Sequence, residues 1–128
     1  TEGAFTGEDL LSKAVEVKGV KVVAAKMDAA DADELKAAAD TLRERIKSGV
    51  AVLGAVIGEK VSVVVMVTDD LIEKRSLKAG DIVKQVAQIV GGSGGGRPHL
   101  AMAGGKDAEK LGDALAAAPE IVGMLVKE

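Results

Sequence analysis

The residues whose types and spacing most clearly suggest ligand binding form a glycine run, Gly91-Gly92-Ser93-Gly94-Gly95-Gly96. Arg97-Pro98 follows it. The run holds five glycines in six residues, and it follows an apolar segment rather than the polar flanks typical of a linker. Holding glycines in one conformation costs backbone entropy. That cost is tolerable where bare backbone must approach a phosphate or a close-packed neighbour. The run is therefore interpreted as a ligand-binding loop, with a flexible linker as the alternative.

Two common phosphate-binding loops are excluded by the residues that follow. A Walker loop ends in Gly-Lys-Ser/Thr, whereas Gly96 precedes Arg97-Pro98. A dinucleotide-binding loop needs G-x-G-x-x-G between a strand and a helix. Here the run follows a predicted helix, and the third glycine of that pattern is missing. The sequence thus predicts neither nucleotide site.

The other reactive side chains do not complete an active site. His99 is the single histidine and cysteine is absent, which excludes a soft metal site built from two such ligands. Asp69-Asp70 follows a predicted strand and is interpreted as a strand end or helix cap. The serines share one potential histidine base, and no nucleophile elbow is present. We expect no catalytic and no metal site in this segment.

The glycine run belongs to a longer block, Gly91 to Gly105, which reads GGSGGGRPHLAMAGG. It resembles the Gly-Gly-Arg-Pro-x-x-Ala-x-Ala-Gly-Gly signature at the C-terminus of bacterial alanyl-tRNA synthetases, and the resemblance extends from about Lys13 to the end of the chain. Three positions differ. Ser93 replaces a loop glycine, His99 replaces a usually acidic residue, and Met102 replaces a usual Gln. The same type of domain accompanies DHH-type phosphoesterases, where its glycine loop holds the nucleic-acid substrate.

The resemblance implies the C-terminal domain of an alanine-tRNA ligase, which binds the elbow of tRNA(Ala) and helps to couple aminoacylation with editing. The parent chain would be a cytoplasmic enzyme using ATP and Mg²⁺, with Zn²⁺ as a further candidate. This segment would have no catalytic site or cofactor of its own. Its partners would be tRNA(Ala) and the catalytic and editing domains, with no membrane attachment, and homodimerisation stays open. The alternatives are a nucleic-acid-binding accessory domain of a DHH-type phosphoesterase and a dimerisation module without an RNA role.

The expected RNA contacts lie in and around the glycine run. Tyr and Trp are absent, so bases have no such aromatic platform on which to stack. Backbone amides and cations remain, and they suit recognition of RNA shape and phosphates. The predicted RNA-binding residues are Gly91, Gly92, Gly94, Gly95, Gly96, Arg97, His99 and Lys106, with Lys74, Arg75 and Lys78 as supporting cations.

The charge distribution argues against a strong binder of polyanions, but it is compatible with a local RNA-binding site. The net charge of the whole chain is −3. Between positions 71 and 110, seven Lys or Arg residues stand against four Asp or Glu residues, which leaves this stretch at +3. Ordinary surface scatter is the alternative interpretation of this difference.

The elements that must position these residues follow from the apolar pattern. Strands are predicted at 20–25, 50–57, 61–67 and 99–103, after an alternating segment at 14–18. Helices are predicted from 31 to about 47, from 78 to 90, and from near 107 onwards with an interruption at Pro119. A hairpin turn is predicted at 58–60, and residues 73–75 are predicted to form a basic loop.

These elements predict an α/β fold, a mixed sheet of roughly five strands covered by helices, with the Gly-rich loop after a buried helix. Residues 1–12 are predicted to be a lead-in or linker, and 13–128 the globular domain. The start without Met is interpreted as a boundary within a longer protein. No apolar run approaches the roughly 20 residues needed to span a membrane.

Overall fold

Short runs of Val, Ala, Leu and Gly form the strands of one mixed sheet. The structure is a computed structural model, and it describes residues 15–26, 31–46 and 48–126. The predicted lead-in, 1–12, lies outside the described residues. Within the described ranges the sheet has six strands in the order β1-β2-β3-β4-β6-β5, and among them only β2 and β3 pair in parallel. Their bounds are β1 Val15–Val17, β2 Val20–Lys26, β3 Val50–Ile57, β4 Lys60–Val67, β5 Ser93–Gly96 and β6 Leu100–Gly105.

The helices cover the two faces of the sheet unequally. Their bounds are α1 Ala32–Ile46, α2 Asp69–Arg75, α3 Ala79–Ile89 and α4 Leu111–Leu125, and a single 3-10 turn at Ala108–Lys110 precedes α4. On one face, α3 and α4 share a core with the inward side chains of the strands. On the other face, α1 is the helix of the described residues that packs against the buried side chains of β2, β3 and β4. The predicted mixed sheet covered by helices is thereby confirmed.

The central hairpin, β3 and β4, is apolar at nearly every strand position because both of its faces are covered. Val52 faces the α3 and α4 side, whereas its neighbour Leu53 faces α1, and both side chains are fully buried. Sandwiched strands of this kind lose the polar alternation of a half-exposed sheet. The predicted hairpin is confirmed, with a turn at 58–59 in which Gly58 adopts a φ of +66°.

Helix α1 begins where its sequence signals predict. The backbone N–H of Glu34 donates to Asp31 Oδ1 at 3.0 Å, which satisfies one of the free amides of the first turn. Its buried stripe consists of Leu35, Ala39, Leu42 and Ile46. Beside that stripe runs a polar row at positions 36, 40 and 43, spaced four and three residues apart. This row therefore shares one side of the helix.

Three local expectations were wrong. Residues 73–75 are the last turn of α2 and not a basic loop, because Asp69 and Asp70 favour the positive end of a helix and Ser76 ends it with a φ of +53°. Pro119 lies inside a continuous α4. The buried side chains of Ala118 before it and Ile121 after it anchor both parts of the helix in the core, so the helix continues past the proline. The glycines at 94–96 form a strand together with Ser93, so the sheet gains a sixth strand.

A hydrogen-bonded cluster joins the end of β4 to the segment before β3. Thr68, the buried polar residue of the described part, accepts a hydrogen bond from the Gly49 N–H at 3.0 Å. Asp70 accepts hydrogen bonds from the hydroxyls of Thr68 at 2.6 Å and Ser48 at 2.5 Å. Partial burial acts to raise the pKa of Asp70. The hydroxyl donors and the amides of Asp70 and Leu71 outweigh it and lower the pKa.

Replacing Asp70 with Asn is expected to lower the free energy of unfolding by roughly 1 kcal/mol near neutral pH, because hydrogen bonds to a charged acceptor are lost. A carboxyl whose folded pKa is lowered stabilises the fold above its unfolded pKa, and this contribution disappears as the pH falls through the folded value. Urea unfolding at neutral pH and below about pH 3 measures the effect. A difference between wild type and variant that is equally large at both pH values would contradict the role of the charge.

Candidate functional site

The glycine run forms one edge of the sheet as the structure describes it. Strand β5 pairs with β6 in antiparallel register, Gly94 opposite Ala103 and Gly96 opposite Ala101. The N–H of Arg97 donates to the Leu100 carbonyl at 3.0 Å and closes the connection between the two strands. The glycine run is thus ordered by a neighbouring strand, which argues against the linker interpretation.

Alternate glycines of this run are required by close packing. A Cβ on Gly96 would lie 2.7 Å from Ala101 Cα, and one on Gly94 would lie 2.5 Å from Ala103 Cα. A Cβ on Gly92 would overlap the Gly104 carbonyl oxygen. Real Cβ atoms do not reach such distances, so β5 approaches β6 as closely as it does because these side chains are missing.

Gly95 differs from its neighbours. A Cβ placed on it would meet no atom of the described residues within 4 Å, and its φ is not in the left-handed region. Side chains alternate along a strand, so position 95 faces the α1 side together with Ser93, which does carry a side chain. The fold therefore does not require glycine at this position.

A groove opens above Gly95, between the polar row of α1 and the strands β5 and β6. We call it the α1 groove. Its volume is about 490 Å³, its floor includes half-buried Leu100 and Met102, and one wall is the polar row of α1. Its lining residues are Lys36, Asp40, Arg43, Gly95, Gly96, Arg97, His99, Leu100, Ala101 and Met102.

A second groove lies where β5 meets the start of α3, and we call it the α3 groove. Its volume is about 260 Å³. Gly80 allows the close approach of helix and strand, because a Cβ there would lie 3.2 Å from the Gly96 oxygen. The lining residues are Lys78, Gly80, Asp81, Lys84, Gly95, Gly96 and Pro98.

The backbone of β5 offers hydrogen-bonding groups at this edge. In an antiparallel pair, residues exchange both hydrogen bonds at every second position. Since Arg97 bonds to Leu100, the next bonded position is Gly95 opposite Met102. The N–H and C=O groups of Gly94 and Gly96 are therefore directed away from β6. The edge combines outward amides with the guanidinium of Arg97, an arrangement suited to an anionic ligand.

The predicted site residues fall into separate groups. The α1 groove brings together Gly95, Gly96, Arg97 and His99, and Lys78 joins the two glycines in the α3 groove. Lys106 lies at the other end of β5, where its N–H donates to the Val90 carbonyl at 2.9 Å. The turn residue Gly91, with a φ of +69°, and Gly92 lie at that end too.

Two of the supporting cations lie on α2. Arg75 donates to the Lys18 carbonyl at 3.4 Å in the turn before β2, and Lys74 belongs to the same last turn of the helix. Neither lines the two grooves. Sequence reasoning missed Lys36, Arg43 and Lys84 as site candidates. For the first two the spacing along α1 was the available signal, but it did not show which neighbour that side of the helix faces.

Within 15–26, 31–46 and 48–126, no group of three or more His, Asp or Glu side chains is placed to hold a metal ion. No described helix combines the length and apolar character needed to cross a membrane.

Sequence comparison identifies relatives along most of the chain. The DHHA1 domain profile matches residues 19–124. The chain is 49% identical over 115 residues to the alanine-tRNA ligase of Acetivibrio thermocellus, covering 90% of this chain and 13% of that protein. It is 50% identical over 120 residues to the enzyme of Desulfitobacterium hafniense, covering 94% of this chain and 14% of that protein. The chain thus spans about one seventh of these relatives' length.

Solved structures share the fold. The C-Ala domain of Aquifex aeolicus alanyl-tRNA synthetase superposes with a TM-score of 0.78 at 29% identity, covering 87% of this chain and 98% of that one. A DHH-domain protein described as a member of the s1p family of ribosomal proteins superposes with a TM-score of 0.56 at 17% identity, covering 95% of this chain and 31% of that one. The second likeness concerns the fold alone. The resemblance to alanyl-tRNA synthetase C-terminal domains is confirmed by these comparisons.

Proposed function

This chain belongs to the DHHA1 domain family, and on that premise we propose that it is the tRNA-facing C-terminal domain of an alanine-tRNA ligase. It binds tRNA(Ala) at the elbow and holds it within reach of the catalytic and editing domains of the same chain. The parent enzyme acts in protein biosynthesis in the cytoplasm, and its other domains use ATP and Mg²⁺, with Zn²⁺ as a further candidate. This segment contributes affinity and position, not chemistry.

The observation that carries the proposal is the bare edge strand at Gly94 to Gly96 beside Arg97. Outward amides and a guanidinium recognise phosphate oxygens by charge-assisted hydrogen bonds. Gly95 leaves the space above it open although the fold would accept a side chain there. An RNA backbone can therefore come close to the main chain at this position.

The recognition mode follows from which side chains are present. Leu100 and Met102 make the floor of the α1 groove apolar, and Lys36, Arg43 and Arg97 also line it. Such a surface contacts phosphates and riboses and does not read base edges. We therefore expect the domain to distinguish a folded tRNA from other RNA by shape more than by sequence.

Replacing Arg97 with Ala is expected to weaken tRNA binding by about 1–3 kcal/mol, which corresponds to roughly five- to 150-fold in Kd, because a charge-assisted contact is removed. Titration of the chain with folded tRNA(Ala) measures the change. Lys21→Ala is the matched control, since β3, β4 and β6 separate β2 from β5 in the sheet.

A second titration uses an unstructured RNA of the same length. We expect it to bind more weakly than the folded tRNA, because the proposed surface recognises the shape of the elbow. Equal affinity for the two RNAs would contradict elbow recognition. An Arg97→Ala protein that binds as tightly as wild type would remove Arg97 from the interface.

A further inference from the structure

We infer that the RNA backbone straddles the edge of the sheet at Gly95 and Gly96, with phosphates bound on both of its faces. Lys36 and Arg43 on α1, together with Arg97, contact the RNA on one face, and Lys78 and Lys84 on α3 contact it on the other. This inference rests on the proposed function and names residues of that same site. The ligand class is the phosphodiester backbone of a polynucleotide.

The two grooves meet at the same pair of residues. Gly95 and Gly96 line both the α1 groove and the α3 groove, and they are the two residues that the grooves have in common. Neither has a side chain, so a single bare strand separates the grooves. A ligand bound in one groove can therefore continue over the edge into the other.

Both grooves carry an excess of positive charge. The α1 groove is lined by Lys36, Arg43 and Arg97 against Asp40. The α3 groove is lined by Lys78 and Lys84 against Asp81. Five cations against two carboxylates contrast with the net charge of −3 for the whole chain. The positive potential is thus concentrated around this edge.

The individual cations are not equally available. Arg43 forms an ion pair with Asp69 at 3.4 Å, which offsets part of its charge. Lys36, Lys78 and Lys84 have exposed side chains. Lys36 and Lys84 are therefore the informative positions, one for each face.

A divided site favours a polymer over a small anion. A single phosphate ion occupies a position in one groove and gains nothing from the cations of the other. Consecutive phosphates of one RNA strand can occupy both grooves and so use the full set of cations. The missing side chain at Gly95 is then explained, because any side chain there would obstruct the path on the α1 side.

The test is the salt dependence of tRNA binding. Each phosphate contact adds about 0.7–0.9 to the slope of log K against log salt concentration. We expect Lys36→Ala and Lys84→Ala each to reduce the slope by about that amount, and the double variant to reduce it by about twice as much. Lys21→Ala should leave the slope unchanged. Circular dichroism melting checks that each variant is folded.

The outcomes separate this inference from the proposed function. If Lys36→Ala lowers the slope and Lys84→Ala does not, the RNA stays on one face and the straddling arrangement is wrong. If neither lysine changes the slope but Arg97→Ala weakens binding, the inference fails while the proposed function stands. Failure of the wild-type chain to bind folded tRNA overturns the proposed function itself. Inorganic phosphate should reduce tRNA binding only through its ionic strength.

Discussion

Replacing Gly95 with Val is expected to abolish most tRNA binding while leaving the fold intact. The new side chain meets no described atom near its Cβ, the backbone needs no left-handed conformation, and Val is well suited to a strand. It stands in the α1 groove beside Arg97, where it blocks the approach of the RNA backbone. We expect a loss of at least tenfold in affinity, about 1.4 kcal/mol, and a change in unfolding free energy within roughly 0.5 kcal/mol.

The matched control for this variant is Ser93→Val. Position 93 lies on the same strand and faces the same side of the sheet, but it does not line either groove. Thermal melting and tRNA titration of the two variants separate an effect on the fold from an effect on the interface. A well-folded Gly95→Val protein that binds tRNA normally would show that no ligand approaches this strand.

Replacing Gly94 with Ala is expected to have the opposite result, a damaged fold. Its Cβ would lie 2.5 Å from the Met102 oxygen and closer still to the Ala103 Cβ, so β5 must move away from β6. Overpacking of this kind costs about 1–3 kcal/mol, and more where backbone cannot yield. Gly95→Ala, one residue further on, should be neutral or stabilising by up to about 1 kcal/mol, because it restricts only the unfolded chain.

Urea unfolding of the two alanine variants measures the contrast. The midpoint should fall for Gly94→Ala and stay or rise for Gly95→Ala. Gly94→Ala is destabilising because Ala101 and Ala103 of β6 are buried in the core beneath α3 and α4. They cannot move away from the new side chain without disturbing the packing of that core. Equal stability of the two variants would mean that β5 is not held against β6 as described.

Much of this architecture is predictable from local sequence. The apolar runs at 50–57 and 61–67 indicate strands covered on both faces, and Asp31 with the stripe from Leu35 onwards indicates α1. The glycine block indicates the candidate site, because five glycines in six residues follow an apolar helical segment. These signals are local and depend on spacing along a single element.

The missed features depend on contacts between distant elements. Glycine is depleted in strands, so residues 93–96 are expected to be a loop, and only pairing with the small residues of β6 makes them a strand. Lys36 and Arg43 line the α1 groove because α1 packs on β3 and β4, and β6 and β5 follow β4 in the sheet. Helix α2 has seven residues, too few for a periodic pattern to be distinguished from a loop.

The composition of the edge strand also bears on self-association. Exposed edge strands commonly recruit other chains, and proteins guard them with charged residues, prolines or bulges. Strand β5 has only four residues, and three of them lack the side chains whose cross-strand pairs stabilise an added strand. Ordering a second strand against it would cost backbone entropy with little packing in return. The glycines thus leave the amides open to a ligand while making this edge a poor template for aggregation.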